Sequence, residues 1–238
     1  MKERIIVGNM KVNMLKEDAI HYAKTFHGDY PNVVLCPSSI YLEYFMNVNV
    51  KLGLQNIFYD GTTCTGEITS KQAVSMGVKY AIIGHSERRN YLDESNEIIN
   101  KKIKDAVESN LGVLLCVGET EEEKKNGRAN EVIKRQVYTA LRGIENLKNV
   151  AIAYEPVWAI GTDKIPSKEE IKEKAKLIKN ITKELLDYDH VRILYGGSVN
   201  EKNIEKLNEI EEISGFLIGG ACTDPVRFEK IINIINEK

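Results

Sequence analysis

Short runs of β-branched and other apolar residues recur along the chain at 5–7, 33–36, 50–54, 80–83, 113–117, 150–154, 191–195 and 216–218. Their nearly unbroken apolar character, without alternation of polar and apolar positions, is what a parallel strand covered on both faces requires. The intervals between them change period. Leu15, Ala19, Tyr22, Ala23 and Phe26 repeat at helical spacing, as do Ile99, Ile103, Ala106 and Val107, then Ile133, Val137, Ala140 and Leu141, and finally Phe228, Ile231, Ile232 and Ile235; each stripe can cover a sheet. Thr120 with Glu123 and Ser167 with Glu170 have the spacing of a capping box, in which a hydroxyl and a carboxylate satisfy the first amides of a helix. Strand and helix thus alternate eight times with no Pro/Gly/Ser-rich linker and no break in composition. That pattern predicts one α/β domain over residues 1–238, a single (β/α)8 TIM barrel and not an open doubly wound sheet.

Composition narrows the partners. With 238 residues, 42% hydrophobic and 29% charged, the chain can bury a sizeable core, which excludes disorder and fibrous repeats. A net charge of −2 and the absence of any long Lys/Arg block leave no electrostatic footprint for nucleic acid or an anionic membrane. Apolar runs stop at about five residues, far short of a bilayer span, and residues 1–10 lack the apolar core of a signal peptide. A soluble, cytoplasmic protein with a small-molecule partner is expected. Cys36, Cys64, Cys116 and Cys222 stand far apart with no CxxC pair, so they read as reduced thiols and not as a disulfide framework or zinc site.

A barrel of this kind carries its reacting groups in the loops after the C-terminal ends of its strands. Two of these connections, 56–69 and 156–166, are long enough to be functional. After the first strand, Asn9 and Lys11 share one direction by period two, and together an amide and an ammonium could hold an oxyanion. A solvated lysine beside a turn-forming asparagine is an equal alternative on spacing alone. After the fourth strand, His85 leaves an apolar run in front of a helix start, where the helix N-terminus disfavours imidazolium and keeps the ring a neutral N–H donor; a structural histidine is the competing reading. Glu87 and Arg88 beside it read as a structural ion pair and loop anchor. After the sixth strand, Glu155 is followed at once by Pro156, Val157, Trp158, Ala159 and Ile160. A partly desolvated carboxylate is suited to proton abstraction, and Pro156 confines Glu155 to extended backbone angles; the alternative is a carboxylate paired with a cation. Trp158, the chain's single tryptophan, is either core or an aromatic cover in a mobile flap. After the last two strands stand Gly196, Gly197 and Ser198, then Gly219 and Gly220, in the order of the phosphate site that such barrels often build. Cys116 reads as a packing residue near the glutamate, not a nucleophile.

These segments resemble the triosephosphate isomerase family along essentially the whole chain: GNMKVN at 8–13, TGE at 65–67, IIGHSERR at 82–89, LLCVGET at 114–120, AYEPVWAIGT at 153–162, YGGSV at 195–199 and GFLIGGA at 215–221. The resemblance implies cofactor-free and metal-free interconversion of dihydroxyacetone phosphate and D-glyceraldehyde 3-phosphate through an enediolate, a step of glycolysis and gluconeogenesis. Carboxylate base and neutral imidazole are this family's known pairing, so the roles come from the resemblance. Glu155 would move the carbon-bound proton, His85 would shuttle a proton at the enediolate oxygens, and Lys11 and Asn9 would stabilise the negative charge. Backbone N–H groups of Gly161, Ser198, Gly219 and Gly220 would hold the phosphate. A lid carrying Pro156, Val157, Trp158, Ala159, Ile160 and Thr162 would exclude water. A homodimer is implied as well, with Thr65, Gly66 and Glu67 at the tip of the interface loop and Arg88 as the partner of Glu67.

The chain departs from the family's pattern at Met10 and Val12, which flank the lysine and bear on packing, and at Asp163 and Pro166, which bear on how freely the lid hinge moves. Two rivals remain. A pentose-phosphate epimerase barrel would use a clustered His/Asp metal set that is not seen, and a catalytically inactive phosphate-binding barrel would have lost the base, the electrophile or the lysine.

Overall fold

The computed structural model describes residues 4–59, 64–162, 164–188 and 190–237. Eight strands close in sequence order into a parallel barrel, the last pairing with the first. They are β1 (Ile5–Asn9), β2 (Val33–Cys36), β3 (Lys51–Leu54), β4 (Tyr80–Ile83), β5 (Gly112–Val117), β6 (Val150–Tyr154), β7 (Arg192–Tyr195) and β8 (Gly215–Ile218). Each predicted apolar run becomes one strand, with ends shifted by up to two residues. The helices outside them are α1 (Lys16–Thr25), α2 (Ser70–Ser75), α3 (Ser86–Tyr91), α4 (Asn96–Glu108), α5 (Glu121–Lys125), α6 (Ala129–Leu141), α7 (Lys168–Leu186), α8 (Ile204–Asn208) and α9 (Pro225–Asn236). Between β2 and β3 the chain forms a 3₁₀ segment, Ser39–Phe45, in place of an α-helix.

Local chemistry accounts for several helix starts. Thr120 and Ser167 close the expected capping boxes with Glu123 and Glu170. Asp224 caps α9, whose first residue is Pro225, a position where the missing N–H costs nothing. Leu15 departs from its predicted stripe: it stands at the N-cap of α1 and is 69% exposed, since the helix it was assigned to begins only at Lys16.

Strand parity sorts the core into two clusters. Ile5, Val7, Val34, Cys36, Ile82, Leu114, Cys116, Ala151, Ala153, Leu194 and Leu217 fill the barrel interior, while alternate residues such as Ile6, Leu35, Ile83 and Leu115 join the helices in the outer cluster. Continuing the inward parity past the strand ends leads to Asn9, Glu155, Gly196 and Gly219 at the C-terminal mouth. Among the described residues no helix is long and apolar enough to cross a membrane.

Candidate active site

At the mouth the inward-facing strand ends converge. Asn9 ends β1 and is buried; its Oδ1 accepts the Lys11 N–H at 3.1 Å, which folds the turn and leaves the amide nitrogen as its other hydrogen-bonding group. Lys11 adopts φ 51°, a left-handed conformation that non-glycine residues seldom take. Gln55 holds that turn by donating to the Lys11 carbonyl at 2.8 Å and to the Cys36 carbonyl at 3.0 Å. The Lys11 ammonium reaches Glu87 Oε1 at 2.5 Å. A Cβ built on Gly219 would lie 3.6 Å from Lys11 Cε, so the lysine stem passes directly beside the glycine loop after β8.

Parity alone would turn His85 away from the axis, because Ile82 faces inward. Gly84, at φ 73°, breaks the alternation and re-aims the next residue. His85 is the N-cap of α3, and its Nδ1 accepts the Glu87 N–H at 3.2 Å. A ring nitrogen that accepts carries no proton, so this geometry fits the neutral ring with its proton on Nε2. Nε2 lies 3.3 Å from Glu155 Oε1.

Glu155 follows β6 and is 1% exposed. Its Oε2 accepts the Ser86 N–H at 3.2 Å, while buried Oε1 has no hydrogen-bond partner among the described residues. An unpaired buried carboxylate oxygen is costly, and here it faces the imidazole. Cys116 lies behind, fully buried, its thiol pushed well up by burial first and then by the Glu155 charge. It packs and does not attack. Iodoacetamide on the folded protein is expected to leave Cys36, Cys116 and Cys222 unmodified by mass spectrometry; alkylated Cys116 in a protein that keeps its circular dichroism would reverse the assignment.

The segment after Glu155 is not structureless: Val157–Ala159 form a 3₁₀ turn. Trp158 donates from Nε1 to Glu119 Oε1 at 2.9 Å, an oxygen that also accepts the Tyr154 hydroxyl at 3.1 Å. Burial, and then the Glu119 charge, push the Tyr154 hydroxyl up, so it stays a donor. The Lys124 ammonium lies 3.7 Å above the Trp158 ring. Trp158 is half-buried and clamped beside α5 in this structure. Pro156 is buried; Ile160 is half-buried; Gly161 (φ 66°) and Thr162 are exposed. Pro166 is buried, and Asp163 lies outside the described residues.

Across the mouth, the Ser198 carbonyl accepts from Asn203 Nδ2 at 3.1 Å, which shapes the loop after β7. Gly219 caps the 3₁₀ turn Gly220–Thr223, and a Cβ on Gly220 would meet nothing within 4 Å. The two glycine loops are tied together from outside: Glu201 pairs with the Arg227 guanidinium on α9 through both oxygens at 2.6 and 2.9 Å. That hydrogen-bonded pairing holds the Glu201 carboxyl down to about 2. A depressed carboxylate stabilises the fold above its unfolded value, about 4.3, and the contribution is lost as pH falls through that value towards about 2. The Arg227 side chain is half exposed, so solvent screening keeps the effect small. Thermal melts of the parent and Arg227→Ala should differ at pH 7 and converge as pH falls to about 2; a constant difference would show that the carboxylate is not involved.

Glu87 and Arg88 do not pair with each other as the sequence suggested. Glu87 turns to Lys11, and the Arg88 Nε reaches Glu94 Oε1 at 3.0 Å because α3 points their side chains in different directions. Glu94 also bonds Lys102. Thr65, Gly66 and Glu67 are exposed, and Gly66 takes φ 91°. Residues 60–63 of this connection lie outside the described residues.

Sequence reasoning missed the Ser86 amide as holder of Glu155, Glu119 as holder of Trp158 and Glu87 as partner of Lys11. These contacts join residues 39 to 76 positions apart, and no local periodicity marks them.

The chain matches the profile of a family described as Triosephosphate isomerase over residues 4–235. Relatives named triosephosphate isomerase include those of Thermodesulfovibrio yellowstonii, 38% identical over 98% of this chain and 99% of the relative, and Dictyoglomus thermophilum, 40% identical over the same shares. The relative from Aquifex aeolicus is 39% identical over 96% of this chain and 98% of its own length.

Proposed function

Because this chain belongs to the triosephosphate isomerase family, we propose that the convergent residues at the barrel mouth divide the isomerisation of a triose phosphate as follows. Glu155 removes the proton from the carbon beside the carbonyl and returns it to the neighbouring carbon. The neutral His85 donates from Nε2 to the carbonyl oxygen and passes protons between the two oxygens of the enediolate. The Lys11 ammonium and the Asn9 amide stabilise the negative charge as it develops. Only the positions of two hydrogens differ between the isomers, so one base and one acid suffice and the reading assigns no cofactor and no metal.

The phosphate belongs to the open glycine loops, where the N–H groups of Ser198, Gly219 and Gly220 and, once the lid is over the site, Gly161 can approach a dianion closely. The lid residues Pro156, Val157, Trp158, Ala159, Ile160 and Thr162 keep water from the enediolate, which would otherwise lose phosphate. The observation that carries this reading is the Glu155 carboxylate, buried with one oxygen unpartnered 3.3 Å from the His85 Nε2. Adding the purified chain to D-glyceraldehyde 3-phosphate with a coupled reductase for dihydroxyacetone phosphate tests it. Steady consumption of the reductant is expected, and none would favour the inactive barrel.

A homodimer is part of the same proposal. A groove of about 610 Å³ runs from Asn9, Lys11 and His85 to Val12, Tyr91 and Leu92, and the last three are 88%, 80% and 61% exposed. Ile40 and Met76 line an adjoining cavity through the shared Ile68. Exposed apolar side chains at this face favour an interface; this chain's own Gly66 and Glu67 border the groove, and the loop of Thr65, Gly66 and Glu67 from a second copy is expected to pack beside it, with Arg88 as the partner of Glu67. Sedimentation should give twice the chain mass; a monomer at micromolar concentration would remove the proposal. One domain over the whole chain, in keeping with the unbroken strand–helix alternation, and a cytoplasmic setting, in keeping with four free thiols, complete the reading.

A further inference from the structure

The Glu155 backbone rests on a peptide that the sheet itself does not hold. The β5–β6 ladder ends with Val117 opposite Tyr154, and the Glu155 N–H donates to the Val117 carbonyl at 2.7 Å. The next residue of that strand path, Gly118, packs so closely that a Cβ there would lie 1.7 Å from the Glu155 carbonyl oxygen. One residue on, the Glu119 carbonyl accepts the Val157 N–H at 3.0 Å and the Glu119 side chain holds Trp158. Residues 118–119 therefore back both the carboxylate-bearing residue and the first turn of the segment that follows it.

Gly118 obtains both of its backbone partners from one side chain. Gln136, on α6 and buried, accepts the Gly118 N–H at Oε1 (2.8 Å) and donates from Nε2 to the Gly118 carbonyl (3.1 Å). A primary amide offers one acceptor and one donor in a plane, the same pair a neighbouring strand residue would present. Gln136 thus stands in for the ladder where it stops. It also borders a cavity of about 300 Å³ behind Glu155, so the peptide has open space to move into once its clamp is removed.

We propose that Gln136 is a positioning residue for Glu155: it touches no reacting atom, and it fixes the Gly118 peptide against which the Glu155 backbone is set. The inference rests on Glu155 being the base. Displacing a base by about 1 Å can cost on the order of 10²-fold in rate, whereas the Gly118 hydrogen bonds run to Gln136 and not to the glycine loops that would hold the phosphate.

The test compares the parent with Gln136→Met, which keeps the volume and removes both hydrogen bonds. Turnover of D-glyceraldehyde 3-phosphate is measured with binding of inorganic phosphate and of a phosphorylated hydroxamate that mimics the enediolate. The expected result is a kcat lower by about tenfold or more, weaker hydroxamate binding, and KM and phosphate affinity within about twofold of the parent. A lower melting temperature with parent kcat per folded molecule would make Gln136 merely structural and overturn the proposal, as would a change in KM and phosphate affinity with kcat intact. If Gln136→Met does not fold, Gln136→Glu, which keeps the acceptor for the Gly118 N–H, is read by the same criteria. A parent without isomerase activity would defeat the functional reading itself, whereas an active parent and an unaffected variant would defeat only the role of Gln136.

Discussion

Glu155→Gln should lower kcat for D-glyceraldehyde 3-phosphate by about 10²–10⁴, the usual worth of a positioned general base, while KM stays within a few-fold. The substitution preserves length and volume in a site where there is little room to adjust: a Cβ on Gly196 would come within 2.8 Å of Glu155 Cγ. What disappears is the capacity to take a proton from carbon, since an amide is no base at neutral pH. At about 1.36 kcal/mol per factor of ten, the loss corresponds to a barrier higher by about 3–5 kcal/mol. Because the substitution keeps the side-chain volume beside Gly196, and the groups proposed to hold the phosphate are the N–H groups of Ser198, Gly219 and Gly220, phosphate affinity should not change. Steady-state kinetics with the coupled assay measure both quantities, and parent-like turnover would take Glu155 out of its role.

Lys11→Met should act on binding and chemistry together. The ammonium stands beside the Gly219 loop and 2.5 Å from the Glu87 carboxylate, so removing it takes away a cation and also leaves Glu87 as a bare negative charge near an incoming dianion. Losing one preorganised donor at a developing oxyanion costs on the order of 10²–10³ in kcat, and the exposed carboxylate adds to this through a higher KM. We expect kcat/KM to fall by about 10³ or more. The double variant Lys11→Met/Glu87→Gln separates the two contributions, because it removes the repelling charge without restoring the attracting one. Its kcat/KM should lie above that of Lys11→Met and far below the parent. A Lys11→Met variant with unchanged KM and kcat would return Lys11 to the class of solvated surface lysines.

The legible part of the fold rests on short-range regularity. A parallel strand buried on both faces needs a run of β-branched residues wherever it occurs, so all eight strands stood out, and the capping boxes at Thr120 and Ser167 are complete within four residues. The strand ends marked Asn9 and Glu155 as candidates, but which face of each strand looks inward is set by the closed barrel, where period two carries the direction of Ile5 and Val7 to Asn9 and of Ala151 and Ala153 to Glu155. The same rule fails one strand away. His85 has outward parity, and only the positive φ of Gly84 brings it to the axis. Between β2 and β3 no helical stripe competes with the short connection, and the chain settles into a 3₁₀ segment.

Strand order along the chain and residue chemistry at the strand ends were written locally, within the reach of periodicity, caps and motifs, and they determined the barrel and the cast of the site. Which side chains answer one another was decided by closure. The barrel sets Glu87 against Lys11 and not Arg88, lays the Ser86 amide on Glu155, brings Glu119 to Trp158, and fits Gln136 to the Gly118 peptide. Those hydrogen bonds depend on distance and angle between elements far apart in sequence, and such geometry exists only once the eighth strand has met the first.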